Sequence, residues 1–233
     1  MNLQNQTVMI TGAAGHLGRA AAGAFRQAGA RLLLLDRQTE ALERAFERSP
    51  QTILLGADLL DREQLRARVE EALKSAGRLH VLCHVAGGFR MGEAVHETTP
   101  QTWDFLGDLN ARAFLNVASV VVPHLIEQGG GKVVTIGAGA ALKGMAQMGA
   151  YCASKSALIR LTESMSAELK DKNINVNCVL PSIIDTPDNR SAMPDADTSR
   201  WVAPEALADV MVFLSSDAAR AIHGASIPVT GLA

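Results

Sequence analysis

Short apolar stretches alternate with longer amphipathic ones along this chain, and the junction after the first is a glycine-rich turn, Thr11-Gly12-Ala13-Ala14-Gly15-His16-Leu17-Gly18. A strand that runs straight into such a turn and then into a helix leaves few folds open. Residues 7–10 read as a buried strand, and the helix after the turn runs to about Ala28, where Gly29 ends it. Residues 31–36 follow as a strand with four consecutive leucines. Further strands are predicted at 52–55, 80–85, 132–136, 174–180 and 225–229, with helices at 61–76, 103–127 and 151–171. Strands this apolar need cover on both faces. The pattern therefore predicts an α/β fold, a single-domain Rossmann-type doubly wound parallel sheet flanked by helices. No repeat or linker interrupts it, so residues 1–233 read as one domain. Residues 181–203, rich in Pro, Asp and Ser, read as irregular, with a substrate lid at about 182–203.

Net charge is −2 and the Lys and Arg residues are scattered, which argues against nucleic acid or an anionic membrane surface as partner. No apolar run reaches membrane-spanning length on this reading. Cys83, Cys152 and Cys178 are odd in number and far apart, so neither disulfides nor a metal site is expected. With a polar, uncharged start and reduced thiols, a cytoplasmic location is expected.

The single tyrosine, Tyr151, stands four residues before Lys155. On a helix the two share a face, where an ammonium favours the ionised phenol and makes it a usable proton donor. Taken alone, the same spacing also suits two solvated side chains. The glycine turn is suited to a pyrophosphate at a helix N-terminus, and Asp36 ends the second strand at the distance expected of an acid that holds a ribose. A carboxylate there favours NAD(H), while Arg37 beside it leaves NADP(H) open. Asp58, before Leu59, either meets an adenine amino group or caps a loop.

Together these residues resemble the short-chain dehydrogenase/reductase family over nearly the whole chain. The matching features are the Thr-Gly turn, Asp36, Asp58-Leu59, Ala86-Gly87, Asn110, Tyr151 with Lys155, and Pro181 with Thr186. The resemblance implies a sheet that binds NAD(P), with Gly12, Gly15, His16, Leu17, Gly18, Asp36, Arg37, Asp58, Leu59, Ala86, Gly87, Gly88 and Pro181 around the dinucleotide. It also implies Tyr151 as acid or base, Lys155 on the nicotinamide ribose, Asn110 anchoring a proton-relay water, and Ile184 and Thr186 flanking the carboxamide. The family pairs two long helices, here about 103–127 and 151–171, across a two-fold axis, which implies a homodimer or homotetramer.

Three departures stand out. His16 occupies the place of the family's middle glycine, and His84-Val85-Ala86-Gly87 replaces Asn-Asn-Ala-Gly, so support of the central sheet is expected from other side chains. The family's serine lies thirteen residues before the tyrosine, and that place is Ala138. Losing such a donor costs about 10²–10³ in rate, yet an electron-poor acceptor that delocalises its own charge needs it less. The stretches 85–89, 136–144 and 185–201 resemble the quinoid dihydropteridine reductase branch, which also has alanine there. This implies reduction of a quinonoid or pterin-like acceptor by NADH. A carbonyl or imine reductase that works without the serine, and a catalytically silent dinucleotide sensor, remain alternatives. Ala138, Phe89, Arg190, Met193 and Trp201 are the candidate substrate residues: Trp201 or Phe89 stacks on a flat ring, or Trp201 and Met193 simply pack the lid. His84 and His96 read as structural, with no metal spacing around either.

Overall fold

Leu32 to Leu35 are all fully buried, because the strand that carries them is covered on both sides. The computed structural model describes residues 1–232. Its seven strands are β1 (Thr7–Thr11), β2 (Arg31–Asp36), β3 (Thr52–Gly56), β4 (Val81–His84), β5 (Gly131–Ile136), β6 (Ile174–Pro181) and β7 (Ser226–Val229). They form one sheet in the order β3-β2-β1-β4-β5-β6-β7, every neighbouring pair parallel. Strand order reverses between β1 and β4, and the crevice beyond the C-terminal ends of strands at such a switch point is where open α/β sheets bind ligands.

The helices are α1 (His16–Gln27), α2 (Thr39–Ala45), α3 (Arg62–Ala76), α4 (Pro100–Gly107), α5 (Ala113–Glu127), α6 (Gly149–Leu169), α7 (Pro187–Ala192) and α8 (Pro204–Leu214). Leu17, Phe25, Leu207 and Met211 bring α1 and α8 onto one face of the sheet. Leu65, Phe114, Val117 and Leu158 bring α3, α5 and α6 onto the other. The strands match the sequence reading to within a residue or two, as the register of parallel pairing extends or trims their ends.

Three expectations change. The stretch 181–203 is not uniformly irregular: it holds α7 and a single 3₁₀ turn, Thr198–Arg200. Pro187 in the first turn and the Thr186 side chain, which accepts from Asn189 N–H at 3.2 Å, give α7 its start. The helix expected from 103 begins at Pro100, capped by Thr99, and a π-helical turn at Asp108–Arg112 joins α4 to α5. The resulting 28-residue helical run, Pro100–Glu127, is long and apolar enough to cross a membrane by length and composition. Its apolar side is core here: Ala113, Phe114, Val117, Val120, Val121 and Leu125 are buried against the sheet.

Candidate active site

The glycine turn is shaped by close backbone approaches. Gly12 has φ +65°, and a Cβ there would lie 2.8 Å from Ala86 Cα, so the turn is packed directly on the segment after β4. Gly15 opens α1 with no side-chain cap and no acid in the first turn, leaving the N–H groups of a helix N-terminus for an anion. Asp36 closes the crevice from the side: Oδ2 accepts from Ala14 N–H at 3.0 Å and Oδ1 from Arg37 N–H at 2.8 Å. These residues fit a dinucleotide, with donors where a pyrophosphate would sit and a carboxylate at the end of β2. Leu17 is buried in the core, whereas His16 is exposed, its Nε2 3.8 Å from Asp188 Oδ2 on α7. Asp58 Oδ1 accepts from Leu60 N–H at 2.8 Å, a loop-capping contact, and the carbonyl of buried Leu59 accepts from Asn116.

At the C-terminal ends of β4 and β5, Gly87, Asn110 and Lys155 converge. A Cβ on Gly87 would lie 2.9 Å from both Asn110 Oδ1 and Lys155 Nζ. Asn110, wholly buried in the π turn, accepts from Gly88 N–H at 2.9 Å and donates to Gly88 C=O and Ser154 Oγ, each at 3.0 Å. Ser154 in turn donates to the Tyr151 carbonyl at 2.9 Å, which links Asn110 to the backbone of α6. A π turn inserts one residue into a helix, and here it carries the asparagine. Lys155 is buried, with Nζ donating to Ile136 C=O at 2.8 Å.

Tyr151 is half-buried, edge-on to Phe89 with centroids 4.8 Å apart, and it packs on Ala138, Ala141, Ile159, Cys178 and Leu180. Burial pushes its phenol up to about 12, with Cys152 adding to the rise. The same burial pulls the Lys155 ammonium down to about 8, against an opposing push from Cys178. The expectation that Lys155 acidifies the phenol is therefore not met by the protein groups. Both side chains are desolvated, which disfavours their charged forms, and the ammonium is engaged with the Ile136 carbonyl.

His84 has the structural role expected of it and itself supports the central sheet. Its Nδ1 lies 3.0 Å from Thr11 Oγ1, tying β4 to β1 just below Gly12, and Thr11 Oγ1 also accepts from Ala86 N–H at 3.3 Å. The ring packs on Phe114, and Nε2 is buried with no partner among the described residues. Burial pushes His84 down to about 3, helped by the Lys155 charge. Because the folded pKa lies below the unfolded one, the unfolded chain takes the proton first. Stability is then full above about pH 6.5 and is lost as pH falls toward 3, by about 2 kcal/mol between roughly pH 7.5 and 5. Urea midpoints across that range should show this slope in the native chain and lose it in His84→Asn.

The lid residues are held within the lid itself. Arg190 is forked onto Asp185, at 2.6 and 2.7 Å, and its guanidinium keeps the Asp185 carboxyl below its ordinary range. Asn189 donates to Ile184 C=O at 2.8 Å, Ile184 bridges to Val202, and Trp201 is 9% exposed. The indole is thus a packing element of the lid, while Met193 is half-buried. The pocket beside Tyr151, about 130 Å³, is lined instead by the 90–102 segment and by Gln147 to Ala150. Arg90, Glu93, Thr102 and Gln147 carry no motif, and nothing in their spacing marks them.

A family model for short chain dehydrogenase matches residues 6–197. This chain belongs to the short-chain dehydrogenase/reductase family. Among relatives of the same family, an NAD-dependent glycerol dehydrogenase of Listeria innocua is 29% identical, covering 99% of this chain and 94% of that protein. A 3-oxoacyl-(acyl-carrier-protein) reductase of Thermotoga maritima is 30% identical, covering 99% and 98%. In structure, the 3-ketoacyl-(acyl-carrier-protein) reductase of Brucella melitensis complexed with NADH superposes with a TM-score of 0.90 at 25% identity, covering 99% of this chain and 98% of that one. The short-chain dehydrogenase/reductase described here is accordingly an NAD(P)-dependent oxidoreductase with a Rossmann-like seven-stranded parallel sheet.

Proposed function

We propose that this enzyme reduces a small, electron-poor acceptor, quinonoid or pterin-like, with Tyr151 as the proton donor. The observation that carries the reading is the apolar wall around the phenol. Ala138 packs there with Ala141, Ile159, Cys178 and Leu180, and among the described residues the nearby hydroxyls of Thr135, Ser154 and Ser156 are already engaged. Thr135 pairs with Thr162 at 2.9 Å, Ser154 with the Tyr151 carbonyl, and Ser156 with the Ala141 carbonyl at 2.6 Å. An acceptor at this site receives one donor rather than two, which suits a ring system that spreads developing charge over itself.

Nicotinamide, when bound, supplies the hydride. Tyr151 holds the proton that the acceptor takes up, and Lys155 lies where it can grip a ribose hydroxyl. Asn110, engaged through its side chain with Gly88 and Ser154, keeps Gly87 and Lys155 in position and maintains the relay side of the site. Gly12, Gly15, His16, Leu17 and Gly18 cradle the pyrophosphate, with Asp58 and Leu59 toward the adenine. Ala86, Gly87, Gly88, Pro181, Ile184 and Thr186 line the nicotinamide end, and Phe89 faces the acceptor. Asp36 favours NADH by repelling a 2′-phosphate, with Arg37 as the competing element. Asp36→Ala should raise the NADH dissociation constant about tenfold and narrow the gap to NADPH, a change of about 1.4 kcal/mol readable by fluorescence titration of both cofactors. Assembly as a homodimer or homotetramer through α4–α6 is supported by Trp103 and Leu115, which are exposed. A cytoplasmic location fits three free, buried cysteines.

A carbonyl reductase is the second reading, favoured by relatives named 3-oxoacyl-(acyl-carrier-protein) reductase and L-xylulose reductase. NADH oxidation with a quinonoid dihydropterin and a panel of simple ketones separates the two. The native enzyme should turn over the quinonoid compound and leave the ketones slow, and Ala138→Ser should raise ketone kcat/KM by about 10²-fold. Ketone turnover in the native chain equal to that of the quinonoid acceptor sinks the first reading.

A further inference from the structure

We infer that the pocket beside Tyr151 takes an acceptor bearing an anionic substituent, a carboxylate or a phosphate, and that Arg90 holds it. The inference rests on Tyr151 as the proton donor and narrows the substrate of that same site. Arg90 directly follows Phe89, whose ring meets Tyr151 edge-on at 4.8 Å, and Arg90 and Tyr151 line one pocket. The guanidinium carbon sits 3.8 Å from the centroid of the Phe105 ring. That stack restrains the plane of the guanidinium and leaves its N–H edge for an in-plane acceptor.

Among the described residues, Arg90 has no carboxylate within ion-pair distance and no side-chain hydrogen bond. Glu93 is the one acid lining the pocket, and both its oxygens are engaged. Oε1 accepts from the Thr102 hydroxyl at 2.8 Å and Oε2 from Thr99 N–H at 3.0 Å, so it serves the start of α4. The facing wall, Gln147 to Tyr151, carries no acid. The loop is pinned across the pocket by Gly92 N–H donating to Gln147 C=O at 2.8 Å, which sets Arg90 opposite that wall. A positive charge with a restrained plane, no internal partner and a pocket in front of it suits a planar carboxylate or a phosphate, both of which accept forked hydrogen bonds from arginine. The acidic substituent would anchor one end of the acceptor while its reducible ring lies against Tyr151, beside Phe89.

The test measures NADH oxidation with three quinonoid dihydropterins that share one ring and differ at position 6, in methyl, carboxyl or phosphooxymethyl. Native, Arg90→Met and Arg90→Lys proteins are compared through the ratio of kcat/KM for each acid over the methyl compound. In Arg90→Met the ratio should fall about tenfold to a hundredfold, chiefly through KM of the acid, and Arg90→Lys should recover part of it. Whichever acid shows the larger fall names the group, carboxylate or phosphate. In parallel, benzoate and benzamide are titrated onto the NADH-loaded proteins by calorimetry. Native protein should prefer benzoate, and Arg90→Met should not. Should no quinonoid compound turn over while the Arg90-dependent benzoate preference persists, the acceptor reading fails and the anion site stands. An unchanged acid-to-methyl ratio in Arg90→Met, or equal binding of benzoate and benzamide in the native protein, overturns the inference.

Discussion

Replacing Tyr151 with phenylalanine is expected to lower kcat by about 10²–10⁴-fold, the usual contribution of a positioned general acid. The ring stays in its place against Phe89 and the small apolar cluster, so the loss reports the hydroxyl rather than a cavity. No second phenol can take over, since Tyr151 is the only tyrosine in the chain. Thermal melting of the variant alongside its kinetics separates a chemical effect from a folding one. The pH profile adds a second readout. Lys155, pulled down to about 8 by burial, loses its charge as pH rises through that value, and kcat should fall on the same limb. In Lys155→Met that limb should vanish along with most of the activity. A Tyr151→Phe enzyme with native kcat would remove the phenol from the chemistry altogether.

Gly18→Ala is expected to cost about 1–3 kcal/mol of stability and to weaken NADH binding with it. A Cβ at Gly18 would come 2.2 Å from the Gly12 carbonyl oxygen, 2.7 Å from Ala13 Cα and 2.8 Å from the Ala13 carbonyl oxygen. All three are backbone atoms that no rotamer change can move aside. Relief requires α1 to shift away from the turn, and that shift moves the uncapped helix N-terminus at Gly15. Gly23, one helical turn and a half further along α1, is the control: nothing lies within 4 Å of its added Cβ. Gly23→Ala should be neutral or stabilising by about 0.5–1 kcal/mol, since a helix interior prefers alanine. Urea midpoints for both variants, with NADH fluorescence titrations, check the pair. Equal midpoints for the two would show that the packing of α1 on the turn contributes nothing.

Features that depend on neighbours in the chain were legible from residue order alone. Apolar runs such as Leu32 to Leu35, the glycine turn after β1, Asp36 at the end of β2 and the four-residue step from Tyr151 to Lys155 are all local periodicities. They were enough for a parallel sheet, and the observed strand order and the family match agree with that class. How distant residues meet depends on packing between elements far apart in the chain. Asn110 reaches Ser154 and Gly88 through a π turn that no periodicity announces, and His84 finds Thr11 across two strands. Trp201 is buried within the lid, and the wall of the pocket at Tyr151 comes from the segment after Phe89 and from Gln147 to Ala150 rather than from the lid. Charge states belong to the same category. Water removed by elements far apart in sequence drives the phenol up and the ammonium down, and desolvation is a property of the enclosure, not of the four-residue spacing.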